Sequence, residues 1–300
     1  MPSVPIILRR IWRQRRRLAI VALLCGLCWV ISGGGGGPLG LVAVMTACAA
    51  AAAAWVGVMP AWRGITSGMA IGFLIVISLG AVGLSLGSTG TVIAGLVLGL
   101  ALGALRALIM VSLPLGKLSQ SVSGRGVVPF PPEKALALLT NDEGLGETAF
   151  WHPHVQRIER DPATPGLSKL IYGDPGCEPH SEVEVRLLER HPGEMIRVAV
   201  RALGEDMKAV DGGAVTEATF RASPHPEGAL VTITERNTLP SALILGMWVD
   251  DAPGDYIDFF RANAAGQPDP SFVAADHAFL KFWSFPTETD SDDDAGADRP

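Results

Sequence analysis

Glu182-Val-Glu-Val-Arg-Leu187 and Ile196-Arg-Val-Ala-Val-Arg201 decide how the second half of this chain folds. In both runs apolar and polar residues alternate with period two. On a pleated strand that puts one set on a buried face and leaves the other wet. Between them lies His191-Pro-Gly193, a break of the kind that joins antiparallel neighbours. The pattern recurs at Val215–Arg221 and Leu230–Arg236, with Asp211-Gly-Gly213 before the first and Pro224-His-Pro-Glu-Gly228 between the two. Weaker strands are expected at Val155–Arg160 and Leu170–Tyr172, and Val127, Val128 and Phe130 end another. The result is an antiparallel meander.

Helical patterns flank it. Pro131-Pro-Glu-Lys-Ala-Leu-Ala-Leu-Leu139 has prolines at its start and an acid in its first turn. Pro253–Asn263 puts Tyr256 and Phe260 on one face. Ser271–Trp283 places Phe272, Ala275, Phe279 and Trp283 together, a face expected to pack on the domain. The tail 287–300 holds five aspartates and no apolar run, so it is expected to be disordered.

The first 114 residues are of a different kind. They carry eight arginines and no acid, whereas all 30 Asp and Glu lie beyond them. With 48% hydrophobic and 18% charged residues, the chain does not have the composition of an ordinary soluble enzyme. Its acidic second half argues against nucleic acid as a partner. Four apolar segments, about Leu18–Ser32, Leu39–Met59, Ile65–Leu86 and Thr91–Leu113, approach the length needed to cross a bilayer. Short links make them antiparallel hairpins. Arg9 to Arg17, Arg63, Lys117 and Arg125 then all fall on one side, which the positive-inside rule makes cytoplasmic for both the N-terminus and the C-terminal domain. The rival reading, a signal peptide over residues 1–32, lacks an Ala-x-Ala site after Leu18–Ser32. Apart from Arg106, placed to snorkel, the spans hold no ionisable acid or base, so they read as an anchor rather than a conduit. Gly64, Gly68 and Gly72, with Gly95, Gly99 and Gly103, form small-residue faces for close packing, within the chain or between copies as a homo-oligomer. Cys25-Gly-Leu-Cys28 reads as a pair of structural thiols. Cys177, alone in the second half, offers no disulfide framework. The divisions expected are a basic N-terminus at 1–17, a transmembrane region at 18–114, an α+β domain at 115–286 and the tail. Like charge between that domain and an anionic leaflet leaves the tether to hold it at the membrane.

The order strand, helix, some six strands, helix resembles the START-like, helix-grip superfamily, also called SRPBCC or polyketide-cyclase-like. The residues that carry the resemblance are the strand entering Phe130-Pro-Pro-Glu-Lys-Ala-Leu-Ala-Leu-Leu139 and Phe150-Trp-His-Pro-His-Val155 at the next strand; it covers roughly residues 120–265. It implies a curved antiparallel sheet gripping a long C-terminal helix, with an apolar cavity between them for lipids, sterols, quinones or polyketides. No catalytic residue carries over. Asp250-Asp-Ala-Pro-Gly254 and Gly266-Gln-Pro-Asp-Pro270 depart from the pattern by breaking that helix.

The expected ligand-binding residues are Trp151 and His152 at the pocket mouth, with Ile196, Val198, Phe220, Tyr256 and Phe260 lining the cavity. His152 and His154 could share a metal on a strand, with His180, His191, Glu178 or Asp174 as third ligand, but no spacing pins one. No nucleophile elbow or phosphate loop is present, and no metal or cofactor is expected. Glu182 and Glu184 read as a solvated strand face. A membrane-tethered module for an apolar ligand is the leading expectation. The alternatives are an enzyme of cyclase, dehydratase or hydrolase type, with His152 or Glu217 turned into the cavity, and a scaffold whose glycine faces drive assembly.

Overall fold

Apolar helix-forming sequence without an acid builds the first part of the molecule: α1 (Val4–Arg13), α2 (Arg15–Ile31), α3 (Gly37–Val58), α4 (Gly64–Ala81) and α5 (Gly87–Ala104). The computed structural model describes residues 3–84, 86–104, 120–140, 155–173, 181–203, 215–237 and 241–275. Among these, two helical stretches, Gly37–Val58 and Pro60–Ala81, are long and apolar enough to cross a membrane. They match the second and third expected segments. The first becomes α2, which has 17 residues and opens on three arginines. Gly87–Gly103 is apolar but shorter, and the rest of the expected fourth segment, with Arg106, lies outside the described residues. The basic N-terminus is itself helical, as α1.

The glycine faces of α4 and α5 meet each other. A Cβ on Gly68 would lie 2.5 Å from Gly99 O and Gly103 N, and one on Gly99 would lie 2.5 Å from Met69 Cα. Backbone touches backbone there, so these faces are occupied within one chain. Gly99→Val is expected to destabilise the full chain by roughly 1–3 kcal/mol through overpacking. Thermal unfolding in lipid nanodiscs measures it, and unchanged stability would mean that the two helices stand further apart.

The second part is α+β. Strands β1 (Gln120–Val128), β2 (Val155–Arg160), β3 (Leu167–Tyr172), β4 (Ser181–His191), β5 (Met195–Ala202), β6 (Val215–His225) and β7 (Gly228–Asn237) form one antiparallel sheet in the order β1-β7-β6-β5-β4-β3-β2. The meander expected from the alternation is present. Its β4–β5 and β6–β7 turns fall at the His-Pro-Gly and Pro-His-Pro-Glu-Gly sites; Asp211-Gly-Gly213 lies outside the described residues. Helix α6 (Pro132–Leu139) buries Ala135, Leu136, Leu138 and Leu139 against the sheet.

After β7 the chain forms α7 (Ser241–Asp250) and α8 (Ala252–Ala265). The break between them falls where Asp250-Asp-Ala-Pro-Gly254 predicts it, at Asp251, whose φ of 53° is left-handed. Aspartate tolerates that region better than most residues. Helix α8 lies directly on β1, because a side chain at Gly124 would strike the backbone of Gly254. Ile257 and Phe260 are fully buried beneath it with Val128, Val231 and Ile233. The second break is Gly266, left-handed at φ 58°, and a helical turn at 272–275 follows.

Candidate functional site

The inward faces of β3 to β7 follow the same period-two alternation that built the strands. Ser168, Leu170 and Tyr172 point inward from β3, and Val185 and Leu187 from β4. Ile196, Val198 and Val200 do so from β5, and Thr216, Ala218 and Phe220 from β6. With Val155 and Ile158 of β2, Leu139 of α6 and Tyr256 of α8 they enclose a cavity of about 470 Å³. That size falls among small-molecule sites, and the walls are mainly hydrocarbon.

Four of the seven expected binding residues meet here: Ile196, Val198, Phe220 and Tyr256. Phe260 does not line the cavity. One turn beyond Tyr256, it is driven into the core, its ring edge-on to Phe130 with centroids 6.1 Å apart. Trp151 and His152 lie outside the described residues, as do His154, His180, Glu178, Asp174 and Cys177. Among the described residues no cluster of three metal-ligating side chains occurs. His191 is at the surface, its Nε2 2.9 Å from Glu189 Oε1.

Polar groups interrupt the apolar lining, among them Tyr172, Tyr256, Glu235 and Thr216. Burial above all, then the nearby Tyr172 and Glu235, push the Tyr256 phenol well above its ordinary range. Tyr172 is raised by burial too. Both phenols therefore remain neutral donors beside a carboxylate. Glu217, the acid expected inside, follows the opposite parity from Thr216, Ala218 and Phe220, so its side chain leaves the other face of β6. Glu235 occupies the role instead. Its position on β7, two residues past Ile233 and four past Val231, is the signal that parity offered. Arg160, Asp161 and Arg190 also line the wall. The Asp161 carboxylate accepts the Ala163 N–H at 2.8 Å, and the hydrogen bonds of that turn hold its pKa low.

A second constellation joins the two halves of the molecule. Asp251, Asp255 and Asp258 recur at i, i+4 and i+7, one face of α8. Arg9 and Arg13 of α1 converge on Asp258: Arg9 donates to both its oxygens at 2.9 and 2.6 Å, and Arg13 Nε to Oδ2 at 2.6 Å. Arg13 Nη1 donates to Asp251 at 2.8 Å. Arg17, 1% exposed, donates to Asp250, to Gln14 Oε1 and to the carbonyl of Arg63. Burial works to raise the Asp258 pKa, but the hydrogen bonds of Arg13 and Arg9 outweigh it and hold it below the ordinary value. Arginines expected only to mark the cytoplasmic side thus dock the domain through ion pairs. The acids at the junction are paired rather than repelled.

No family model matches the sequence, and neither does any curated protein. Solved structures similar to part of the chain include protein Mll3558 from Rhizobium loti, at 12% identity over 49% of this chain and 97% of that one, TM-score 0.35. The Aha1 dimer from Colwellia psychrerythraea shows 17% identity over 50% and 99%, TM-score 0.35. DynU16, a protein of the dynemicin biosynthetic locus, shows 14% over 50% and 49%, TM-score 0.34.

Proposed function

We propose that this chain is a membrane-tethered helix-grip module, whose cytoplasmic domain (residues 115–286) holds an apolar small molecule, a lipid, quinone or similar compound, drawn from the adjacent bilayer. Four helices within residues 18–114 anchor it, with the N-terminus also cytoplasmic. The observation that carries this is the 470 Å³ cavity, which lies where alternation aims Ile196, Val198 and Phe220. Removing hydrocarbon from water favours such a complex by about 25 cal/mol per Å² of apolar area buried.

The membrane placement draws on surface chemistry. Outward side chains of α2 to α5, among them Leu23, Val30, Leu39, Val42, Val92 and Val97, are large, apolar and exposed. Helix α1 continues this surface with Val4, Leu8 and Trp12 at helical spacing, and α7 adds Leu245 and Trp248. The guanidinium of Arg15 stacks on Trp12 and that of Arg16 on Trp248, at 5.0 and 4.8 Å, a pairing suited to the headgroup level.

Organic extraction of the full chain, followed by mass spectrometry, tests the binding. Wild type is expected to release a stoichiometric apolar compound that Val198→Trp, which fills the cavity, does not retain. Identical extracts from the two proteins would remove the proposal. A second reading, an enzyme on the same fold, has the convergence of Tyr172, Tyr256 and Glu235 in its favour. It requires the compound recovered after incubation to differ in mass from the one supplied.

A further inference from the structure

Helix α1 has three faces, each with different surroundings. Ile7 and Ile11 lie against α3: a Cβ on Gly57 would come within 2.8 Å of Ile7 Cγ2 and 3.9 Å of Ile11 Cδ1. Gly57 is the last residue but one of α3, which is long and apolar enough to cross a membrane, so α1 sits where that helix ends. Arg9 and Arg13 turn to α8 and hold Asp258. The third face, Val4, Leu8 and Trp12 at i, i+4 and i+8, is 68%, 60% and 61% exposed. A helix face turned to water ordinarily carries polar residues. The apolar surface continues on α7 with Leu245 and Trp248, both exposed. Arg16 of α2 donates to the Trp248 carbonyl at 2.6 Å, which fixes α7 beside the start of α2.

Cations border this surface. Arg15 covers the Trp12 ring and Arg16 the Trp248 ring. A guanidinium presents several N–H donors in a planar fork. Arg15 gives one to the Trp12 carbonyl at 3.0 Å, and Arg16 one to that of Trp248. Asp251 is 3.7 and 3.9 Å from them, so it shares their charge without accepting a hydrogen bond from either. Among the described residues, Arg9, Arg13, Arg15 and Arg16 together face the two carboxylates of Asp251 and Asp258. The balance is positive, and its outer members are the two arginines stacked on exposed indoles.

We infer that α1 and α7 form a platform for anionic phospholipid. Acyl chains lie against Val4, Leu8, Leu245 and the two indoles, and the headgroup phosphate accepts N–H donors from Arg15 and Arg16. Guanidinium forks match phosphate geometry, and an anionic leaflet draws basic side chains to its surface. This rests on the membrane-tethered reading above and adds to it a lipid partner at a defined place. Because Arg13 on the same helix grips α8, the platform also holds near the leaflet the helix whose Tyr256 lines the cavity.

Two measurements on the full chain in lipid nanodiscs test it. In discs of mixed phosphatidylglycerol and phosphatidylcholine, the lipids that stay with the protein through detergent purification are quantified by mass spectrometry. Wild type is expected to enrich phosphatidylglycerol, and R15Q/R16Q to lower the enrichment about tenfold, less than two unshared arginines would cost because Asp251 takes part of their charge. Circular dichroism verifies that the variant is folded. The second measurement is quenching of tryptophan fluorescence by lipids brominated near the headgroup end of their acyl chains. The difference between wild type and Trp12→Phe isolates Trp12, which is expected to be strongly quenched. Unchanged enrichment in R15Q/R16Q, or no quenching attributable to Trp12, would overturn the platform. Quenching that persists in Trp12→Phe would then leave the spans in place through Trp29 and Trp55. No quenching in either protein would remove the membrane reading itself.

Discussion

Arg13→Ala is expected to destabilise the full chain by about 3–5 kcal/mol, the range measured when one member of a buried ion pair is deleted. Arg13 is buried, and its guanidinium bridges Asp258 and Asp251, themselves only 3% and 4% exposed. Without it, Asp258 retains Arg9, but among the described residues Asp251 retains only Arg15 and Arg16 at 3.7 and 3.9 Å, neither in hydrogen-bonding range. Two desolvated carboxylates would share less charge compensation on one helix face. The loss therefore comes mainly from stranding the acids, not from deleting an attraction. The double variant Arg13→Met with Asp258→Leu separates these accounts, since replacing both charges with apolar side chains is often neutral or stabilising. It should be more stable than Arg13→Ala. Equilibrium unfolding in detergent micelles measures both. Hydrogen exchange of α8 should also rise in Arg13→Ala, because α1 contributes to holding that helix in place. A cost below about 1 kcal/mol, typical of an exposed pair, would mean that water reaches the junction.

The ion-paired junction shows what sequence could and could not reveal. Strand positions were legible because each strand has one buried face, so parity alone located Ile196, Val198 and Phe220 on the cavity side. Parity also sends Glu217 outward and Glu235 inward, so the acid named in the enzyme alternative lies on the far face of β6. The helix break at Asp251 was legible from Pro253 and Gly254. Its purpose was not, since nothing local says that an aspartate 238 positions away from Arg13 will meet it. The available clue was global. Six arginines without an acid near them, and an acidic i, i+4, i+7 stripe on a helix otherwise suited to burial, are each costly alone and compensate one another together. Phe260 was misplaced for a simpler reason. Helical periodicity gives the face of α8 that turns inward, but not where along that face packed core gives way to cavity.

Raising the pH from about 4 to 7 is expected to lower the stability of the wild-type chain, and Asp255→Asn should remove most of that slope. The carboxylate of Asp255 is 4% exposed and accepts backbone N–H groups from Phe272, at 2.9 and 3.0 Å, and from Val273 at 3.0 Å, fastening the turn at 272–275 to α8. Burial raises its pKa from 3.8 to about 7, against the lowering effect of those N–H groups and of Arg63 and with a smaller upward push from Asp258. Arg10 faces it from α1, and Asp269, itself raised by burial, lies nearby. The folded state thus holds this proton where the unfolded chain has released it. Between the two pKa values stability falls as pH rises. Above about 7 the full cost, on the order of 4 kcal/mol for three pKa units, is present; below the unfolded value it vanishes. Asp258 behaves oppositely, contributing above the ordinary carboxylate range and losing its contribution in stronger acid, so it does not offset the slope in this window. Asparagine keeps an acceptor oxygen for Phe272 and has no charge to desolvate, so Asp255→Asn should be the more stable protein at neutral pH and nearly equal to wild type near pH 4. Thermal unfolding of both chains in nanodiscs across that range decides the matter. The difference between them isolates Asp255 from every other titrating group. Parallel curves would mean that the carboxylate stays ionised throughout, its backbone N–H bonds and Arg63 outweighing its burial.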